Sequence, residues 1–134
     1  MIRGIDHIGI AVRSIEEKLP FYRDVLDLGE VEVEEVPEQK VRVAVIMTPQ
    51  GRIELLEPTS EDSTVAKYLE KRGEGMHHVA LSVDDIDAEI ARLKSQDTRM
   101  IDETPRIGAG GVRIAFIHPK SAGGVLTELC ERAS

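Results

Sequence analysis

Four ionisable residues occupy matching places in the two halves of this 134-residue chain. His7 begins the stretch HIGIAVRSI in the first half, and His78 begins the related stretch HVALSVDDI in the second. Glu54 and Glu128 each interrupt an apolar segment, within RIELLEP and VLTELCER. Glu54 follows His7 at nearly the same distance along the chain as Glu128 follows His78, so each half carries one histidine and one glutamate at similar spacing.

This combination of imidazole and carboxylate groups indicates a metal site. A carboxylate within an apolar strand must be paired, neutral or bound to a cation, because burying an unpaired charge is costly. If the last strand of each half lies beside its first, the four side chains meet as a site for Zn²⁺, Co²⁺, Ni²⁺, Mn²⁺ or Fe²⁺, with two positions open to water or substrate. The alternative is that the histidines are ordinary core residues and each glutamate points outward.

The adjacent histidines of GMHHVALSV differ in their expected roles, because side chains alternate across a strand. His78 shares its face with the small residues Ala80 and Ser82, which leave room for something that is not protein. The stretch HIGIA around the first histidine repeats this pattern. His77 shares its face with bulky apolar residues and is expected to be structural, and His118 is expected in a loop.

The two stretches belong to an internal repeat, which predicts the same order of elements in both halves. Each first strand leads into a helix start signal: Ser14 with Glu17 in one half, and Asp84 and Asp85 in the other. Pro20 is expected to kink or delay the first helix. Further strands are predicted at about 30–36, 41–48, 51–57, 98–102, 111–117 and 124–131, with a helix near 63–72 between the halves.

The sequence therefore predicts an α+β fold of two pseudo-symmetric βαβββ modules. Its length suits one domain over residues 1–134. Module one is expected at about 1–60, a linker helix at about 61–74 and module two at about 75–134.

Composition excludes several functions. The net charge of −8 argues against a nucleic-acid partner, which favours a basic face. No apolar run approaches the roughly 20 residues of a membrane helix, and no signal peptide opens the chain, so no membrane partner is expected. The one cysteine, Cys130, excludes an intramolecular disulfide and is compatible with the reducing cytoplasm.

The chain resembles the vicinal-oxygen-chelate superfamily of glyoxalases, bleomycin resistance proteins and dioxygenases, and within it the methylmalonyl-CoA epimerases. The general resemblance rests on IDHIGIAVRSIEEKLPFYRDVL, and the more specific one on GMHHVALSVDDID and HPKSAGGVLTEL. It covers nearly the whole chain. It implies a curved mixed sheet around a metal site, a homodimer and a place in propionate metabolism. It favours Co²⁺, with Zn²⁺, Ni²⁺ or Mn²⁺ as alternatives.

Matched residue by residue, the resemblance implies metal ligands at His7, Glu54, His78 and Glu128. The implied reaction interconverts (2R)- and (2S)-methylmalonyl-CoA by removal and return of the C2 proton through a metal-stabilised enolate. Epimerisation needs one base on each face of C2, and Glu54 and Glu128 are the expected pair.

One position departs from the epimerases. Some of them place a second base on the strand after PEQ, where this chain has Val43. Either Glu54 takes that role or another group does. Lys120, Arg106 and Arg113 are candidate contacts for the coenzyme A tail, although each is first expected to be a solvated surface residue.

Three other functions are compatible with the same fold. A glyoxalase I-type isomerase can use the same four ligands, and the HPKSAGGV region argues against it. An extradiol dioxygenase needs a three-ligand Fe²⁺ site, so a fourth ligand at Glu54 and the short chain count against it. A drug-binding module would lack the ligand set.

Overall fold

The computed structural model describes residues 1–132. Module one is a strand, a helix and three further strands, in the predicted order. Its elements are β1 (Ile2–Ala11), α1 (Ile15–Pro20, continued by a π-helical turn over Phe21–Val25), β2 (Val31–Val36), β3 (Val41–Thr48) and β4 (Gly51–Pro58).

A short helix, α2 (Thr64–Arg72), follows, and module two then repeats the same order. Its elements are β5 (Gly75–Val83), α3 (Ile86–Ser95), β6 (Arg106–Ile107), β7 (Arg113–Ile117) and β8 (Thr127–Glu131). The α+β class and the two βαβββ modules are therefore confirmed. The last two residues assigned to module two lie outside the described residues.

The chain divides into two compact units, one formed by residues 7–77 and the other by residues 1–6 with the chain from His78 onward. In the first, the strand order is β2-β3-β4-β1, and β4 runs parallel to β1 and antiparallel to β3. In the second, the order is β5-β8-β7-β6, and β8 runs parallel to β5 and antiparallel to β7. The last strand of each module thus lies beside its first, as predicted.

The repeat extends into the apolar core of each unit. The core cluster that includes α1 consists of Val12, Ile15, Ala44, Ile46 and Leu55. The equivalent cluster that includes α3 consists of Val83, Ile86, Ile90, Ala115, Ile117 and Leu129. Four pairs of core residues are separated by the same number of residues as His7 and His78: Val12 and Val83, Ile15 and Ile86, Ala44 and Ala115, and Ile46 and Ile117. Leu55 and Leu129 lie further apart in the sequence, because the connection before β8 is longer than the one before β4.

The helices begin where the capping signals predict. The Ser14 hydroxyl accepts a hydrogen bond from the Glu17 N–H, and the Asp85 carboxylate accepts one from the Ala88 N–H. After Pro20 the first helix widens into its π-helical turn, since the ring removes a donor and crowds the preceding turn. Among residues 1–132, no helix is both long and apolar enough to cross a membrane.

In module two, the strand predicted at 98–102 was wrong, since β6 lies instead at Arg106–Ile107, and the strand predicted at 124–131 was too long. The segment 98–102 forms only an isolated bridge, Met100 with Ile117, because the Asp102 carboxylate accepts the Phe116 N–H that a strand carbonyl would otherwise take. The strand predicted at 124–131 begins at Thr127. Residues 122–125 instead form a turn, in which Gly124 has a φ of +90°.

Strand β2 forms the edge of the sheet in the first unit, because β3 is its one partner among the strands of residues 1–132. Its central residues are exposed, and three of them are the glutamates Glu32, Glu34 and Glu35. Its last residue, Val36, is buried. The strand therefore contributes little to the core and presents a row of acidic side chains to solvent.

Leu129→Ala should destabilise the fold strongly, because Leu129 is 0% exposed in the core of module two. We expect the free energy of unfolding to fall by about 2–5 kcal/mol, the usual cost of a leucine-sized cavity. Denaturant unfolding measures it. The control is Val125→Ala, at a side chain 51% exposed, which should stay within about 0.5 kcal/mol of the wild type. Equal stabilities of the two variants would contradict the core assignment.

Candidate metal centre

The first buried histidine–glutamate pair lies in the unit of residues 7–77. His7 on β1 and Glu54 on β4 are 3.4 Å apart, measured from Nδ1 to Oε2. The two side chains are only 4% and 7% exposed. β1 and β4 pair so that Gly9 lies opposite Glu54, and the missing side chain at Gly9 leaves space for the glutamate and the histidine on the same face.

The second pair repeats this arrangement in the other unit. His78 on β5 and Glu128 on β8 are 3.2 Å apart, from Nε2 to Oε1, with side chains 5% and 6% exposed. Ala80 lies opposite Glu128, as Gly9 lies opposite the glutamate of module one. The small residues therefore do what the face pattern predicts, and His78 rather than His77 takes the place beside a carboxylate.

Each pair fits a divalent metal ion by burial and by spacing. Two donors bound to one ion at about 2.1 Å, with angles between octahedral and tetrahedral, lie roughly 3.0–3.4 Å apart. The separations of 3.4 Å and 3.2 Å match that range. Neutral imidazole nitrogens and carboxylate oxygens are also donors that first-row divalent ions accept. The predicted ligands are thus brought together two by two, within each module.

An apolar residue on the neighbouring strand lies opposite each of the two carboxylates. Val45 pairs directly with Glu54, and Val43, on the same face of β3, is 2% exposed. This face of β3 offers no acid, so it supplies no second base. In module two Phe116 takes the place of Val45, opposite Glu128, and its ring meets the His78 ring edge to face at 5.5 Å.

The other two histidines have different surroundings. His77 packs its ring edge against Tyr68, with 5.2 Å between ring centroids, which agrees with a structural role. His118 caps a short turn by accepting the Lys120 N–H on Nδ1. Partial desolvation lowers the pKa of His118, and the positive charges of Arg99 and Lys120 lower it further. His118 is therefore a loop residue, as predicted.

Two of the three candidate cations for coenzyme A, Arg113 and Arg106, form ion pairs within module two. Arg113 forms ion pairs with Asp87 at 2.8 Å and with Glu131 at 3.2 Å. Arg106 pairs with Asp102 at 3.5 Å. These ion pairs connect both arginines to neighbouring segments, which indicates a structural role within module two.

Sequence reasoning missed Phe116 and the glutamates Glu57 and Glu131. Phe116 could have been found from its rarity, because the chain has only two Phe and two Tyr. Glu57 and Glu131 stand at the same short distance after Glu54 and Glu128 in both halves. Extending the repeat alignment into the last strands would have revealed them.

The fold and these pairs agree with comparisons to known proteins. Residues 6–116 match the family described as the Glyoxalase/Bleomycin resistance protein/Dioxygenase superfamily. The chain belongs to that superfamily.

Within it, several of the similar proteins have a narrower description. A methylmalonyl-CoA epimerase of Mycobacterium tuberculosis has 43% identity and a TM-score of 0.95, covering 99% of this chain and 90% of that one. A methylmalonyl-CoA epimerase in complex with methylmalonyl-CoA and NH4+ has 41% identity and a TM-score of 0.94, covering 100% and 97%. The mitochondrial methylmalonyl-CoA epimerase of Mus musculus is 40% identical over 93% of this chain and 71% of its own length.

Proposed function

We propose that this chain is an isomerase that interconverts the (2R) and (2S) forms of methylmalonyl-CoA. The observation that carries the proposal is the buried histidine–glutamate pair found in each module at the spacing of shared metal donors. Similarity over nearly the whole chain to methylmalonyl-CoA epimerases, one of them with methylmalonyl-CoA bound, supports this substrate.

The four side chains of the two pairs are proposed to hold one divalent ion. They are His7, Glu54, His78 and Glu128, and Co²⁺ is the first choice, with Zn²⁺, Ni²⁺ or Mn²⁺ as alternatives. When bound, the ion would act as a Lewis acid that stabilises negative charge on the thioester and carboxylate oxygens of the substrate.

Glu54 and Glu128 are proposed to move the proton. The C2 hydrogen lies between a thioester and a carboxylate and is weakly acidic, so its removal needs a base held within hydrogen-bond reach. One carboxylate takes the proton from one face of C2, and the other returns a proton to the opposite face. Each glutamate lies beside an imidazole that restricts its movement.

The apolar residues beside the glutamates would help this chemistry. Val43, Val45 and Phe116 keep water from the carboxylates and lower the local dielectric constant. Electrostatic interactions are stronger in such surroundings than in water. Because β3 places valine beside Glu54, the second base is assigned to Glu54 itself.

The location and the oligomeric state are also part of the proposal. We place the enzyme in the cytoplasm as a homodimer. The one cysteine, Cys130, is buried, and a chain with a single cysteine forms no disulfide within itself, which suits a reducing compartment.

The test is isotope exchange at C2. Purified protein is incubated in D₂O with (2R)- or (2S)-methylmalonyl-CoA, with and without a metal chelator, and deuterium and configuration at C2 are followed together. We expect deuterium uptake with epimerisation in the metal-loaded protein, and loss of both after chelation. Heat-inactivated protein is the control.

Two results would count against the proposal. Metal-loaded protein that exchanges no deuterium would remove the epimerase assignment, and the hemithioacetal of methylglyoxal and glutathione would then test the glyoxalase I-type alternative. Exchange that survives complete removal of metal would leave the substrate assignment intact but exclude the metal centre.

A further inference from the structure

A carboxylate on β4 joins three elements of module one. Glu57 accepts the Ile15 N–H, the first residue of α1, on Oε1 at 2.9 Å. Its Oε2 accepts from Arg42 on β3 at 2.9 Å. Arg42 also donates to Glu16 of α1 at 3.0 Å. The start of the helix is thereby fastened to the strand that carries Glu54.

Module two contains the same arrangement. Glu131 on β8 accepts the Ile86 N–H, the first residue of α3, at 2.8 Å. It also accepts from Arg113 on β7 at 3.2 Å, and Arg113 donates to Asp87 of α3 at 2.8 Å. Three pairs of counterparts are separated along the chain by the same number of residues as His7 and His78. They are Arg42 and Arg113, Ile15 and Ile86, and Glu16 and Asp87.

Each of these glutamates lies on the same strand as a proposed metal ligand, but its side chain is on the opposite face of the sheet. Glu57 lies three residues after Glu54 on the same strand, so the two side chains leave opposite faces of the sheet. β1 ends at Ala11 and α1 begins at Ile15, which leaves three connecting residues. Holding Ile15 against Glu57 therefore fixes where β1, with His7, lies along β4.

We propose that Glu57 and Glu131 are positioning residues that set the register between the histidine strand and the glutamate strand of each module. A one-residue shift of register would turn a strand's side chains to the wrong face. Hydrogen bonds from helix N-terminal N–H groups to a carboxylate are charge-assisted, which makes them suited to this task. The inference rests on the proposed role of the two pairs as metal ligands.

The test measures Co²⁺ affinity by competition with a coloured chelator, together with the visible spectrum of bound Co²⁺. The variants are Glu57→Leu and Glu131→Leu. We expect each to bind Co²⁺ about tenfold more weakly than the wild type, with an altered spectrum, as is usual when residues that orient metal ligands are lost. Circular dichroism checks that both variants fold.

Glu74→Leu is the matched control. Glu74 resembles Glu57 in two respects. It accepts the Arg13 N–H, in the connection between β1 and α1, at 2.8 Å. It also forms an ion pair with a basic side chain, that of Lys18, at 3.0 Å. It lies outside β4, however, so its loss should leave Co²⁺ affinity within about twofold of the wild type.

The outcomes separate the two proposals. Wild-type protein that binds no Co²⁺ overturns the metal centre and the positioning role with it. Wild-type protein that binds Co²⁺ while folded Glu57→Leu binds it equally well overturns only the positioning role. Equal weakening by Glu74→Leu also overturns it. If the leucine variants do not fold, Glu57→Gln is compared with Arg42→Gln. Glu57→Gln loses the charge-assisted bond to Ile15, whereas Arg42→Gln keeps the Glu57 carboxylate, so Glu57→Gln should bind Co²⁺ more weakly. Equal affinities of these two variants would overturn the positioning role.

Discussion

Glu128→Gln is expected to slow epimerisation of methylmalonyl-CoA by about 10²–10⁴-fold, the usual contribution of a general acid–base residue. The amide has the size of the carboxylate, so it keeps the packing beside Phe116 and His78. It cannot accept the C2 proton. The measurement is the rate of appearance of the opposite epimer, with bound metal determined in the same sample.

A surface variant controls for the loss of one negative charge. Glu103 is exposed and pairs with Lys94 at 2.6 Å, so Glu103→Gln should leave the rate within about twofold of the wild type. A Glu128→Gln protein that holds its metal and epimerises at the wild-type rate would show that Glu128 is not a base.

Glu54→Gln is expected to separate exchange from epimerisation. With one base left, the proton can still be removed and returned on the face of Glu128, without inversion. Epimerisation should fall by about 10²–10⁴-fold from both epimers, while deuterium exchange persists from one epimer and is lost from the other. In Glu128→Gln the exchanging epimer should be the opposite one.

Each epimer must therefore be tested separately in D₂O, with Glu103→Gln as the common control. If Glu54→Gln loses exchange from both epimers equally while its metal content is unchanged, Glu54 does not serve a separate face of C2. If it epimerises normally, another residue is the second base.

Much of the fold could be predicted because the chain repeats itself. The two histidine stretches are related by one constant offset, and the core pairs Val12 with Val83 and Ala44 with Ala115 keep that same offset. Buried positions in related modules obey the same packing constraints, so the repeat survives there. The choice of His78 over His77 followed from the two-residue period of a strand.

The features that could not be predicted depend on interactions that sequence periodicity does not encode. The Asp102 side chain accepts the Phe116 N–H in place of a strand carbonyl. The segment around Asp102 therefore has the sequence pattern of a strand but does not form a strand. The distance between His7 and Glu54 depends on parallel pairing of strands far apart in the sequence. Glu57 was overlooked because a charged residue at the end of a strand resembles an ordinary surface residue.

The acidic row on strand β2 has a consequence for self-association. An exposed edge strand offers unpaired N–H and C=O groups to any neighbouring chain, and charged side chains are one way in which proteins discourage such pairing. A second copy adding itself along this edge would bring its own Glu32, Glu34 and Glu35 against the same residues, and like charges opposite one another destabilise a strand pair. Continuous sheet growth from this edge is therefore opposed, and we expect the homodimer proposed above to form through another surface.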